Sequence, residues 1–399
     1  MSTTAEQMRA WTGPALLTYG FRPFFFGAAV WATLAMALWV PLLSGHITLP
    51  IAFDAISWHA HEFLFGYVAA VAAGFLLTAV PNWTGRLPIV GWPLGGLFAL
   101  WIVGRLAMLV SAYLPPLVVA LADLAMPAAL AAVIAREIIV GKNWRNLIVL
   151  GMLSVMALGN AVFHLEAARG DYAAEGYGLR IGLGATLMMI AVIGGRVVPS
   201  FTRNWLVRQG PGRLPVAPMQ RFDRIALLVL LAALLMWVAL PANGVTLALL
   251  GLAGVLHLLR LGRWAGERTL AEPLLWVLHL AYSLLPLGAL LVALEGFWPG
   301  LMGAPAAQHL WMAGAVGLMT QAMMSRATLG HSGKALTAGR GTTAIYVALL
   351  VAVLARLTAG ALPAQAWWLH SLAGTAWLAS FGGFAVLYGP LWLRARARR

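Results

Sequence analysis

The residues with most chemistry to offer are nine histidines, in a chain with no cysteine. Without thiolates, disulfides and iron-sulfur clusters are excluded, and any metal must be held by imidazole, thioether or carboxylate. The densest group is Trp58-His59-Ala60-His61-Glu62, four residues after Asp54. On a helix, residues two apart point about 200° away from each other, so His59 and His61 address different partners. Glu62 follows His59 by three and so shares its face, where a carboxylate can accept the second N–H of a ligating ring and fix its tautomer. An interfacial histidine also serves as a plain hydrogen-bonding or lipid-contacting group, and Glu62 as an acid at a helix start.

The elements that must carry these residues are apolar. The composition is 62% hydrophobic and only 10% charged, whereas soluble domains carry about 25% charged residues. Uncharged runs such as 225–259 and 357–393 exceed the roughly 20 residues that cross a bilayer. The stretch up to Thr18 lacks the short apolar core and cleavage site of a signal peptide, so the first span is expected to anchor the chain. Divided at Pro, Gly, Asn and charged positions, the sequence predicts twelve transmembrane helices near 20–43, 56–80, 92–112, 115–137, 146–166, 179–199, 223–241, 244–260, 273–295, 306–325, 341–361 and 366–390. The expected fold is all-α and polytopic, one integral membrane domain over 1–399.

Alternating these spans places 22 Lys and Arg on one face, including Arg9, Arg22, Arg86, Arg196, Arg260, Arg326 and the tail Arg396, Arg398 and Arg399, against Arg169 and Arg180 on the other. The basic face is then cytoplasmic, with both termini. The net charge of +14 therefore reflects topology and anionic membrane lipid, and no nucleic-acid partner is expected.

With this orientation, His46, His59, His61, His164, His309 and His370 all fall toward the outer side, a clustering that points to haem or copper. His257 and His279 fall toward inner helix ends, and His331 follows the tenth span on the inner side. The inner side also gathers Arg22, Arg86, Arg196 and Arg326 beside Asn82, Thr84, Thr202, Thr328 and His331, a set suited to haem propionates, another anion or lipid headgroups. Met312, Met319, Met323 and Met324 offer thioethers or ordinary packing. Arg105 and Asp123 lie at similar depth on consecutive helices and are expected to form an intramembrane ion pair. The second, sixth and tenth spans end alike in polar, glycine-bearing stretches, which suggests three four-helix units. No phosphate loop, zinc-protease helix or nucleophile elbow is present, which argues against hydrolysis and ATP-driven transport.

Five ordered motifs, Gly20-Phe21-Arg22-Pro23-Phe24-Phe25, Trp58 to Phe63, Phe75 to Gly85, Gly194 to Thr202 and Met324 to Gly333, resemble the NnrS family of bacterial inner-membrane proteins. The resemblance implies haem, of b type, and copper, with a role in nitric oxide metabolism, denitrification or nitrosative stress, and an electron donor whose identity stays open. It makes His59 and His61 the leading haem or copper ligands and His309 and His331 the next. It also places Arg22, Arg196 and Arg326 near a cofactor. His164, His370 and His46 complete the candidate metal set, and Glu62 the cofactor set. The twelve-helix plan is also similar to the catalytic subunit of haem-copper oxidases, yet the sixth and seventh spans lack histidine, so the oxidase copper trio has no counterpart by position.

The expected function is a redox protein that binds or detoxifies nitric oxide or metal nitrosyls. The competing expectations are a twelve-helix transporter of a metal, metal nitrosyl or small anion, consistent with 43 Gly and 21 Pro, and a haem-binding nitric oxide sensor without turnover.

Overall fold

The computed structural model describes residues 11–85 and 87–394, apart from the side chain of Asn82. Arg9, Arg86, Arg396, Arg398 and Arg399 lie outside the described residues. Within them every regular element is helical, as an apolar chain demands when lipid cannot pair its backbone groups. The long helices are α1 (Phe21–Leu43), α2 (residues 55–84), α3 (Trp92–Leu109), α4 (Pro116–Val140), α5 (Leu147–Ala168), α6 (Tyr177–Gln209), α7 (Arg221–Ala239), α8 (Gly244–Gly262), α9 (Pro273–Phe297), α10 (residues 304–331), α11 (Arg340–Ala361) and α12 (Ala366–Leu393).

Eleven of the twelve are long and apolar enough to cross a membrane. The exception, α10, carries Gln308, His309, Thr320, Gln321, Ser325 and Arg326 along its length. It buries several of these: Gln321 donates to Ser380 Oγ at 2.9 Å, and Arg326 lies 4.2 Å above the Phe201 ring. Large side chains such as Leu117, Leu121, Leu228, Leu235 and Val386 stay exposed along the helices. An apolar surface of this kind is expected where the solvent is lipid.

Among the described residues, π-helical turns occur in three helices only: Glu62–Tyr67 in α2, Ile190–Gly194 in α6 and Leu310–Leu318 in α10. These are the second, sixth and tenth spans, the three that the polar end motifs had already grouped. Each π turn follows His61, Met189 or His309, and a glycine stands five residues on from it, Gly66, Gly194 or Gly314. A π turn replaces i→i+4 bonds by i→i+5 and recurs at functional sites.

The chain divides into two compact units. One comprises the residues up to Gly182 with Thr328–Lys334 and those from Phe381 onward; the other comprises Leu183–Ala327 and Ala335–Ser380.

A buried histidine and carboxylate cluster as the candidate site

Four helices of the first unit build the site: α3 brings Arg105, and local chemistry sets α2, α4 and α5. Asp54 caps α2 by accepting from the Ile56 and Ser57 amides at 3.0 and 2.9 Å, as a short carboxylate at a helix start does. Two turns later His61 closes the α-helical part and Glu62 opens the π turn. In α4, Pro127 has no N–H for the carbonyl of Asp123 four residues earlier, so the helix loosens beneath that carboxylate. On α5, Asn160 and His164 are four apart and share one face.

These elements bring His61, Glu62, Arg105, Asp123, Asn160 and His164 into one cluster, each at most 6% exposed. His61 Nδ1 donates to Glu62 Oε1 at 3.0 Å, while its Nε2 faces Asp123 Oδ2 at 3.1 Å and Asn160 Oδ1 at 2.9 Å. His164 Nε2 donates to the same Asp123 Oδ2 at 3.1 Å, and Asn160 Nδ2 donates to it at 2.7 Å. Arg105 Nη1 donates to Glu62 Oε2 at 2.5 Å, and Nη2 pairs with Asp123 Oδ1. The ion pair expected from matched depth is therefore present, and it belongs to a larger site.

Two glycines admit this packing. A Cβ on Gly66 would stand 2.5 Å from Arg105 Nη1, and one on Gly104 would stand 3.0 Å from the Asp123 Cα. The rings of Phe53, Phe65 and Phe163 surround the imidazoles at centroid distances of 5.4 to 6.1 Å. Their low-polarity wall strengthens every charge interaction inside it.

The ligand atoms of His61, Asp123 and His164 lie within 4.8 Å of one another. Two imidazoles and a carboxylate suit a single transition-metal ion. Glu62 and Asn160 would then act as outer partners that hold the His61 ring. Two carboxylates against one guanidinium leave one negative charge, which a cuprous ion offsets. A haem macrocycle does not fit at this cluster: Glu62, Asp123 and Asn160 crowd the His61 ring, and the adjoining cavity admits little more than one small molecule.

Other expected residues go elsewhere. His59 stacks on Trp39 at 4.0 Å and meets Phe63 at a tilt at 4.7 Å, and the Glu62 expected to orient it turns instead to His61 and Arg105. His46 is exposed and bonds with Ser44 at 2.7 Å. His331 stacks on Tyr19 and Phe21 at 5.2 and 5.6 Å. Arg22 spends its guanidinium on the carbonyls of Ala15, Trp392 and Arg394, closing the end of α12 rather than presenting itself to an anion. Thr328 accepts from Trp392 Nε1 at 3.0 Å.

In the second unit, Arg196 is exposed, Arg326 covers Phe201, Thr202 bonds with His279 at 2.8 Å, and His370 is exposed. His309 Nδ1 donates to the Pro305 carbonyl at 2.6 Å, which leaves the basic lone pair on Nε2. Asn160 was missed from sequence as a site residue, and Asp123 was read only as a partner for Arg105. The available signal was the four-residue spacing of Asn160 and His164, with both at the depth of Asp123.

Residues 15–396 match the family described as NnrS protein. No curated protein matches the chain.

Proposed function

Because the chain belongs to the NnrS family, and that membership links it to nitric oxide-related function, we propose that it binds nitric oxide at a metal ion held by His61, Asp123 and His164 and serves in nitrosative-stress redox chemistry. The observation that carries this reading is the convergence of two imidazole Nε2 atoms on one carboxylate oxygen inside a buried, aromatic-walled pocket.

Copper suits the donor set and its charge. When bound, it would supply an open coordination position for a small neutral ligand. The protein's part is to hold the imidazoles through Glu62 and Asn160, to fix Asp123 through Arg105, and to exclude water. For haem, His309 would be the candidate ligand, because its Nδ1 is tied to a backbone carbonyl as in metal-bound histidines. The 22-to-2 distribution of Lys and Arg supports insertion in the inner membrane with both termini cytoplasmic.

The test is metal analysis and optical spectroscopy of the purified full chain in nanodiscs. About one copper per chain and a response to nitric oxide are expected, with any Soret band lost in His309→Ala. Chains that fold correctly, carry no metal and ignore nitric oxide would refute the proposal. Steady-state nitric oxide consumption with an added electron donor separates turnover from binding alone.

A further inference from the structure

The cavity beside the cluster is formed by three of its four helices, α2, α4 and α5, one to three turns inward from the candidate ligands. Phe65 and Ala69 follow His61 on α2 by four and eight residues; Met126 and Pro127 follow Asp123 on α4 by three and four; Ala157 and Asn160 precede His164 on α5 by seven and four. These are helical repeats, so the lining continues the faces that carry the cluster. The space has a structural origin: the π turn at Glu62–Tyr67 interrupts the regular winding of α2, and Pro127 removes a backbone bond in α4.

Asn160 is the one polar side chain among the lining residues, and its amide is committed, Oδ1 to His61 and Nδ2 to Asp123. A trapped water needs two to four polar partners, and among side chains the lining offers only what remains of the Asn160 amide. An anion such as nitrite would meet no cation there, since Arg105 pairs with Glu62 and Asp123 and does not line the cavity. A neutral, weakly polar diatomic loses little on entering, and the flexible Met126 side chain can adjust around it. All lining residues are buried except Ala157, which is intermediate in exposure on a membrane-spanning helix, so the opening faces lipid.

We infer that this cavity is a loading chamber for a small neutral gas, which enters from the bilayer past Ala157 and reaches the histidine cluster past Asn160. The inference rests on the proposed nitric oxide site and adds that the substrate class is a lipid-soluble diatomic, with its water-soluble anions excluded.

Xenon is the probe for the chamber, because it binds apolar cavities whether or not a metal is present. Crystals of the full chain under xenon pressure should show xenon between Phe65, Met126 and Ala157 in the wild type and none there in Ala157→Phe; wild-type crystals without xenon at this position would overturn the chamber. In the metal-loaded protein, Ala157→Phe should slow nitric oxide association about tenfold, equivalent to about 1.4 kcal/mol of added barrier, at unchanged metal content. An unchanged rate would overturn the loading role. Ala157→Val provides a smaller block if the Phe variant does not fold. Xenon in the cavity of a protein that takes up no metal would uphold the chamber and refute the cluster as the nitric oxide site, so the two readings fail separately.

Discussion

Each unit contains a fully buried arginine paired with an aspartate, and the two clusters are put together differently. In the first unit Arg105 faces two carboxylates, Glu62 and Asp123, and two imidazoles converge on the second of these. In the second unit Arg260 Nε donates to Asp223 Oδ1 at 2.9 Å, and its Nη1 donates to the Ala191 carbonyl at 2.9 Å and to Tyr282 Oη at 2.8 Å. Tyr282 in turn donates to His257 Nδ1 at 2.8 Å, and His257 Nε2 donates to the Ala226 carbonyl at 3.1 Å. Asp223 also completes the capping box of α7. Asp223 answers Arg260 and, at 3.8 Å, Arg263 as well, so no negative charge is in surplus, and His257 has both nitrogens engaged by neutral partners. On the proposed reading, surplus negative charge with convergent donors makes the first cluster a ligand site. The second, with no such surplus and its imidazole consumed, is a brace between helices.

The largest expected separation comes from breaking each aspartate in turn. Asp123→Ala should abolish metal retention, measured by metal content after dialysis against a chelator. Asp223→Ala should leave metal content unchanged while stranding Arg260, at about 3–5 kcal/mol of stability, measured by thermal unfolding in detergent. Metal loss of equal size in both variants would erase the distinction.

Glu62→Gln comes next. It keeps the shape but removes the charge that holds His61 and Arg105, and a change in such an outer partner lowers metal affinity about 10- to 100-fold, measured by competition with a chromophoric chelator. Tyr282→Phe is the milder counterpart in the brace. It leaves His257 Nδ1 and one Arg260 donor unpaired, costs about 1–3 kcal/mol, and leaves metal affinity alone.

The smallest effect is expected at the surface of the second unit, between spans. The Arg213 guanidinium bonds Glu267 Oε1 at 2.8 Å and Oε2 at 2.7 Å and holds that carboxyl below its ordinary value. A depressed carboxyl stabilises the fold above its unfolded value of about 4.5 and loses that contribution as pH falls through the folded value. With both side chains more than half exposed, the contribution is under about 1 kcal/mol. Glu267→Gln should therefore flatten the acid limb of the melting-temperature profile slightly and leave nitric oxide binding unaffected.

How much of this was legible follows from which signals a sequence carries. The twelve helices could be read because lipid enforces long apolar runs, and most observed ends fall within a few residues of the expected ones, while α6 runs ten residues past its expected end to Gln209 and α10 six past its own to His331. The pairing of Arg105 with Asp123 could be read because both lie a similar number of residues from a shared outer turn. The π turns could not, since an i→i+5 segment uses the same apolar residues as the helix around it. Glu62, expected to serve His59, serves His61 and Arg105 instead, because the pull of a guanidinium on a neighbouring helix is not written in the local spacing. Arg260, counted with the cytoplasmic charges, is fully buried, because a helix-end position alone does not reveal an aspartate waiting on the neighbouring helix. Asn160 went unnoticed because an amide carries no charge to draw attention in an apolar span.

The measurement that tests the central claim most directly is the copper content and nitric oxide uptake of purified His164→Ala beside Asp223→Asn. His164→Ala should lose both although its helices remain folded, and Asp223→Asn should keep both although it melts at a lower temperature. Full copper and undiminished nitric oxide uptake in His164→Ala would contradict that claim.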